Sequence, residues 1–436
     1  MIWPRRIAAA ILVTGWAAML AITAPGYLSY DSVAQMASAR SGVYNSWHPP
    51  LMAWLLGVFD WLVPGTLLFL IFQTALLLFA LLALLWCKPR GWPSVTAAAV
   101  FVLLPQALLF QGEIWKDILF ANAAIAGFAA LALLAQNWRF HWLILSLLLL
   151  TLAACTRQNG ILLLPVAAVT LAMIARRQSG SGWRHGAGFL VTALLLFGGI
   201  NLVLARRGDG GDGAAAQLRL GQAYDLAGAF ARRPGLTLPG LGPNLNSVLR
   251  HRGAARYTSL HVDAMAADPA VSAALETSPP GAVARAWRGL ILDHTALYLS
   301  VRWDDFRAVL LPPDRLTCHF APVGIDGDPA LAKSLDMPNR LRPRDLRLAA
   351  YAGHFFTTPV YSHLAWGASA LGLLIFLLWR RQDADLAVAG LLASALLFTA
   401  TFVIISIACD YRYLLFLDLS AMASTLYALS PRAQNT

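Results

Sequence analysis

The stretch GEIWKD, residues 112–117, sets Glu113, Lys116 and Asp117 within five positions between two long apolar runs. Carboxylates beside an ammonium can take a proton from a hydroxyl and hold an anion whose charge grows as it departs. Further groups of the same types stand at comparable places: Asp31 in YDS, His48 in WHPP, Arg157 in TRQNG and Arg412 in CDYRY. Charges at the ends of apolar segments are costly to desolvate, which makes them functional candidates. Each also has a plainer reading. Asp31 fits a solvated loop acid, Arg157 a snorkelling helix-end cation, and Lys116 with Asp117 an exposed pair worth under about 1 kcal/mol.

What must position these groups is a membrane bundle. Of 436 residues, 58% are hydrophobic and 13% charged, and the mean hydropathy is +0.61. Soluble globular chains are far less apolar. A hydrocarbon core about 30 Å thick needs roughly 20 apolar residues per helix. About ten runs qualify: 7–25, 65–86, 93–111, 118–135, 142–156, 161–175, 187–205, 365–379, 386–408 and 413–429. The expected fold class is an all-α polytopic membrane protein. The opening MIWPRRIAAAILVTGWAAMLAITAPG has the outline of a signal peptide, but its run is long enough to span and reads as an uncleaved first helix.

Short-loop cations give the orientation. Arg5, Arg6, Lys88, Arg90, Arg139, Arg176, Arg177, Arg184, Arg380, Arg381 and Arg432 all flank one end of alternate runs. The positive-inside rule makes that end, and both termini, cytoplasmic. The localisation that follows is the inner (plasma) membrane. These loops also account for much of the net charge of +11. No basic run is interleaved with aromatics, so no nucleic-acid partner is expected.

Two outer regions are long. In the first outer loop Tyr30, Val33, Ala34 and Ala37 fall at i, i+3, i+4 and i+7, an apolar helical face with Asp31, Gln35 and Ser38 off it. After WHPP comes LMAWLLGVFDWLV, too short to span and carrying Asp60. Two interfacial helices are therefore expected between the first two spans. Trp47, Trp54 and Trp61 recur every seven residues, as interfacial anchors do. The second region, 206–364, has no membrane-length apolar run and is rich in turn signals such as GIDGDP. It reads as a mixed, mainly helical external segment, with GDGGDG as its linker. The division is 1–205, an N-terminal transmembrane module with catalytic outer loops; 206–364, external; and 365–436, the C-terminal transmembrane helices.

Outside 206–364 there are eight acids: Asp31, Asp60, Glu113, Asp117, Asp383, Asp385, Asp410 and Asp418. Five of them, Asp31, Asp60, Glu113, Asp117 and Asp410, map to the outer face. Lys116, Arg157 and Arg412 stand beside them, and lysine is used only at positions 88, 116 and 333. One-sidedness of this kind suits transfer of a sugar from a lipid phosphate. The lipid tail stays in the bilayer while a surface carboxylate deprotonates the acceptor and cations hold the leaving phosphate.

YDS (30–32), WHPP (47–50), EIWKD (113–117) and RQNG (157–160), in this order and on one side, resemble the GT-C superfamily of membrane glycosyltransferases. In particular the chain is similar to bacterial members that use polyprenyl-phosphate sugars. The resemblance implies a GT-C-like bundle and a polyprenyl-phosphate-linked sugar donor, with a glycan, lipid or protein acceptor. Asp31 would be the catalytic base, and Asp117 or Glu113 would bind the acceptor or orient the base. Lys116 and Arg157 would contact the donor phosphate, and Trp47 and His48 would line the pocket. Gln158, Asn159 and Gly160 would form a polar, flexible mouth around the donor. Arg412 reads first as a clamp on its neighbours and second as a substrate contact.

The chain departs from metal-dependent relatives in lacking a DxD in the first loop, which favours a metal-independent mechanism. No cofactor is implied. His251, His261, His294, His319, His354 and His363 show no i, i+4 pairing and no cysteine partner at ligand spacing, so no zinc site is expected among them. Nor is a disulfide expected, although Cys318 could meet Cys155 or Cys409 in an oxidising compartment. A flippase of lipid-linked saccharides would need polar features near the midplane, whereas a lipid-diphosphate-linked glycan polymerase or ligase would differ only in its donor.

Overall fold

The computed structural model describes residues 2–88, 91–180, 182–208 and 210–429. Arg90 and Arg432, two of the orienting cations, lie outside these. Among the described residues the chain is helical, with isolated β-bridges and no strand. It is a multi-pass membrane protein. Seven helices are long and apolar enough to cross a bilayer: Trp3–Thr23, Leu67–Trp86, Lys116–Gln136, Gln158–Gln178, Gly182–Ala205, His363–Arg380 and Asp385–Ile405.

Three of the ten expected spans differ in form. The run at 93–111 is two helices, Trp92–Leu103 and Pro105–Gly112, bent by 62°. Pro105 causes the break: a residue before proline is pushed out of the α region, and Leu104 is extended at φ −70°, ψ 142°. Phe140–Thr156 has 17 residues and Leu415–Ala428 has 14, both short for a full crossing.

The Lys116–Gln136 helix forms the axis of the bundle. Its small residues, from Ala121 through Ala126 to Gly127 and Ala132, let neighbours approach closely, and nearly all of it is buried. Where a Cβ on Gly127 would stand, the Leu150 side chain already lies at 2.5 Å, so this contact requires glycine.

Two lateral helices, Tyr30–Ser41 and Leu51–Leu62, lie between the first two spans, as expected. The buried face of the first is not the expected one. Ser32, Val33, Gln35 and Met36 point inward, while Tyr30 is 67% exposed. Ser32 Oγ donates to the Ile114 carbonyl (2.5 Å), and Val33 and Met36 join a core with Leu56, Phe69 and Ile114. That anchoring hydrogen bond rotates the helix by roughly one position relative to the apolar pattern. Gly42 ends it in the left-handed region at φ 69°.

Between Ala205 and His363 lie further helices, most of them short, from the 20-residue Gly213–Arg232 to Pro343–Gly353. Asp212 of the GDGGDG stretch caps the first of these, its carboxylate accepting from Ala215 N–H (3.0 Å). A separate apolar core of Tyr224, Phe230, Leu249, Met265 and Leu290 holds several of them together.

Candidate active site

The first lateral helix, the start of the Lys116–Gln136 helix and the turn before Leu415 meet at one end of the bundle. Backbone pairing fixes the first two: Tyr27 N–H donates to Gly112 O (2.8 Å) and Ile114 N–H to Tyr27 O (2.9 Å). The third is anchored by Tyr411. Its hydroxyl donates to Asp418 (2.6 Å) and accepts from Gln106 Nε2 (2.8 Å). These ties set Asp31, Lys116 and Arg412 against one another.

Asp31 is the centre of the cluster. Arg412 Nη2 lies 2.8 Å from its Oδ2, and His48 Nε2 lies 3.6 Å from its Oδ1. Its side chain is 27% exposed, so a substrate can reach it. Burial alone would raise its pKa, but Arg412, the nearby His48 and Lys116 hold it well below the usual carboxylate range. It is ionised at neutral pH.

His48 bridges two charges of opposite sign. Its Nδ1 is 2.7 Å from Lys116 Nζ, and an ammonium can only donate. Nδ1 is therefore the acceptor, and Nε2 carries the proton directed at Asp31. Burial and the Lys116 charge keep this imidazole below its ordinary pKa, consistent with a neutral Nε2–H tautomer.

Arg412 does more than clamp its neighbours. Besides Asp31 it holds Asp410 (3.0 Å), and its guanidinium lies over the Trp115 ring at 4.5 Å. Trp115 is fixed in turn by Nε1 donating to Ser29 Oγ (2.6 Å). Trp115 stands inside EIWKD, but nothing in its spacing distinguishes it from the chain's other tryptophans.

The remaining candidates divide. Asp117 forms a buried ion pair with Arg157, and Arg157 also faces Phe398, Phe402 and Tyr413 at 5.3–5.6 Å. Arg157 is thus already engaged by a carboxylate and three rings. Glu113 is 1% exposed, and its Oε1 has no hydrogen-bond partner among the described residues. Burial raises its pKa to about 8 against the pull of Arg412, so it is largely protonated at neutral pH. Asn159 donates to Thr401 (2.9 Å) and so faces the Asp385–Ile405 helix. Gly160 is a close-packing position, with Ala153 O and Phe120 3.1 Å from where a Cβ would stand. Trp47 is partly exposed, and its carbonyl accepts from Gln158 (3.3 Å). Asp60 stands apart, paired with Arg40 (3.0 Å).

Sequence spacing did not reveal two features near this cluster. Cys318 and Cys409 form a disulfide, although no bridge was expected. His261 and His319 stand against Asp410, although no metal-type grouping was expected among the histidines. Their partners are distant along the chain, which local spacing does not register.

No protein-family model matches the sequence, and no curated protein matches it. A solved structure, ArnT from Cupriavidus metallidurans bound to undecaprenyl phosphate, is similar at a TM-score of 0.34 and 16% identity. The match covers 97% of this chain and 76% of that one. A likeness so loose says nothing about activity; the chemistry of this site rests on its own residues.

Proposed function

We propose that this protein is a GT-C-type glycosyltransferase of the inner membrane. It takes a sugar from a polyprenyl-phosphate donor and gives it to a glycan, lipid or protein acceptor on the outer face. The observation that carries this reading is the meeting of Asp31 with Arg412 and with the His48–Lys116 pair. It joins a reachable carboxylate to two cations at the end of a membrane bundle. The order and sidedness of the sequence motifs support it.

In this mechanism Asp31 accepts the proton of the acceptor hydroxyl as that oxygen attacks the anomeric carbon. The bond from the anomeric carbon to the phosphate oxygen breaks, and the polyprenyl phosphate leaves with one more negative charge. Arg412 and Lys116 meet that charge, aided by the positive end of the helix that Lys116 opens. His48 turns its Nε2 proton towards Asp31 (3.6 Å). Arg412 gives the site a sequence of events: while it pairs with Asp31 the carboxylate is a weak base, and an arriving phosphate draws off part of its charge. Asp31 becomes more basic when the donor is in place.

Both termini lie on the cytoplasmic side, and the 206–364 segment closes over the acceptor. The missing DxD argues for chemistry without a metal. The test is the purified protein in lipid with a labelled polyprenyl-phosphate sugar, as wild type and as Asp31→Asn, each with and without EDTA. Turnover by the wild type that persists in EDTA, with a loss of about a hundredfold or more in the variant and donor binding retained, is the expected result. Wild-type protein that binds the lipid and moves it between leaflets without consuming it would make this a flippase instead.

A further inference from the structure

We propose that His261, His319 and Asp410 form a binding site for a divalent transition metal of the zinc class, beside the candidate active site and distinct from it. One ligand atom from each of the three lies within 4.8 Å of the others. His319 Nδ1 is 2.8 Å and His261 Nε2 3.5 Å from Asp410 Oδ1. Tetrahedral zinc with bonds of about 2.0–2.1 Å holds its ligand atoms roughly 3.3 Å apart. The His261 distance is close to that value, and the His319 distance lies about 0.5 Å inside it.

The surroundings orient each ligand. His261 Nδ1 is 2.8 Å from Asp263 Oδ2, the carboxylate–imidazole contact that fixes the tautomer of metal-binding histidines and turns the other nitrogen to the ion. That nitrogen, Nε2, faces Asp410 and donates to the Thr317 carbonyl (3.0 Å), and it gives up this proton when a metal binds. Asp410 gives Oδ2 to Arg412 (3.0 Å) and presents Oδ1 to the histidines.

The backbone holds the three segments together next to each ligand. Val262 N–H donates to Ile407 O (2.9 Å) and Cys409 N–H to Leu260 O (2.8 Å), so His261 lies opposite Ala408. The Cys318–Cys409 disulfide joins the residues directly preceding His319 and Asp410. Tyr411 N–H closes the unit by donating to Cys318 O (2.9 Å). Sites supported in this way hold their geometry before the ligand arrives.

Two imidazoles and one carboxylate suit zinc or its neighbours better than magnesium or calcium, which take oxygen ligands. The His319 side chain is 53% exposed, which leaves a fourth coordination position open to water or an exogenous ligand. Metal binding here does not depend on the chemistry assigned to Asp31. Arg412 links the two sites, pairing with Asp31 and with Asp410.

Full-length protein without a polyhistidine tag, stripped by chelation and titrated with cobalt(II), tests this. One cobalt per chain, visible bands of low-coordinate cobalt and displacement by zinc are expected. His319→Gln should abolish the bands, and Asp263→Asn, which leaves all three ligands in place, should weaken binding about tenfold or more. An unchanged size-exclusion profile and intact disulfide would show that each variant is folded. Absence of bound cobalt in the wild type, or equal binding by His319→Gln, would overturn the assignment and leave the three residues as an ion-paired clamp.

Discussion

The Arg412 guanidinium lies 2.8 Å from the Asp31 carboxylate, although the two residues are 381 positions apart. The same group holds Asp410 (3.0 Å), so one cation serves a carboxylate of the first outer loop and one near the last helix. An arginine can do this because its planar fork offers several donors in fixed directions. The contact joins the two ends of the chain at the point where the proposed chemistry occurs.

That contact predicts a pH effect with a definite sign. Arg412 holds the Asp31 pKa down, so its removal raises it. Arg412→Gln should move the acid limb of the pH–rate profile to higher pH, because Asp31 then loses its ionised form earlier as pH falls. Arg412→Lys keeps the charge but not the fork; its limb should stay near the wild-type position while KM for the lipid donor rises. Profiles of kcat/KM across mildly acid pH would check both. An acid limb unmoved by the glutamine variant would detach Asp31 from the rate.

Glu113 predicts a stability effect of the opposite kind. Its ordinary pKa of 4.5 is raised to about 8 by burial, so between these values the folded protein holds a proton that the unfolded chain has released. Stability contributed by this group is therefore greatest at low pH and declines as pH rises from about 4.5 to 8. The difference between these values corresponds to about 5 kcal/mol at most. Glu113→Gln, neutral at every pH, should lose less thermal stability than the wild type between pH 5 and pH 8. Parallel melting curves for the two proteins over that range would contradict the assignment.

Seven of the ten apolar runs are helices long enough to cross a bilayer, because hydrocarbon thickness fixes their length, and the lateral pair follows from runs too short to span. Other features escaped for identifiable reasons. The break at Pro105 was hidden because a single proline barely lowers the hydropathy of so long an apolar run, although it bars the helix from continuing. The face of the first lateral helix turned on a hydrogen bond from Ser32 to the Ile114 carbonyl, 82 positions away. Acids and cations of the site were legible as a one-sided set, but their pairing was not. Arg157 belongs to Asp117 and Arg412 to Asp31, a division that only packing decides.

The Asp117–Arg157 pair is buried, with side-chain exposures of 1% and 9%. Removing one member of such a pair strands the other charge, at a cost of about 3–5 kcal/mol, whereas replacing both is far less costly. Arg157→Met should therefore lower the melting temperature more than the double variant Asp117→Asn/Arg157→Met. Turnover per folded molecule of Asp117→Asn should exceed that of Asp31→Asn. The reverse order, with stability unchanged, would make Asp117 the proton acceptor and Asp31 its support.

The Cys318–Cys409 bridge closes a loop with a sequence separation of 91. For a loop of that size the chain-entropy estimate is about 4–5 kcal/mol of stabilisation, and the bridge also ties the segment bearing His319 to the turn bearing Arg412. Titration of thiols in the denatured, unreduced protein should find only Cys87 and Cys155, and reduction should reveal all four cysteines. Cys318→Ser/Cys409→Ser should melt earlier and turn over more slowly, because Tyr411 N–H donates to Cys318 O (2.9 Å) next to Arg412. A double variant that melted earlier yet kept the full rate would show that the bridge supports the fold without positioning Arg412.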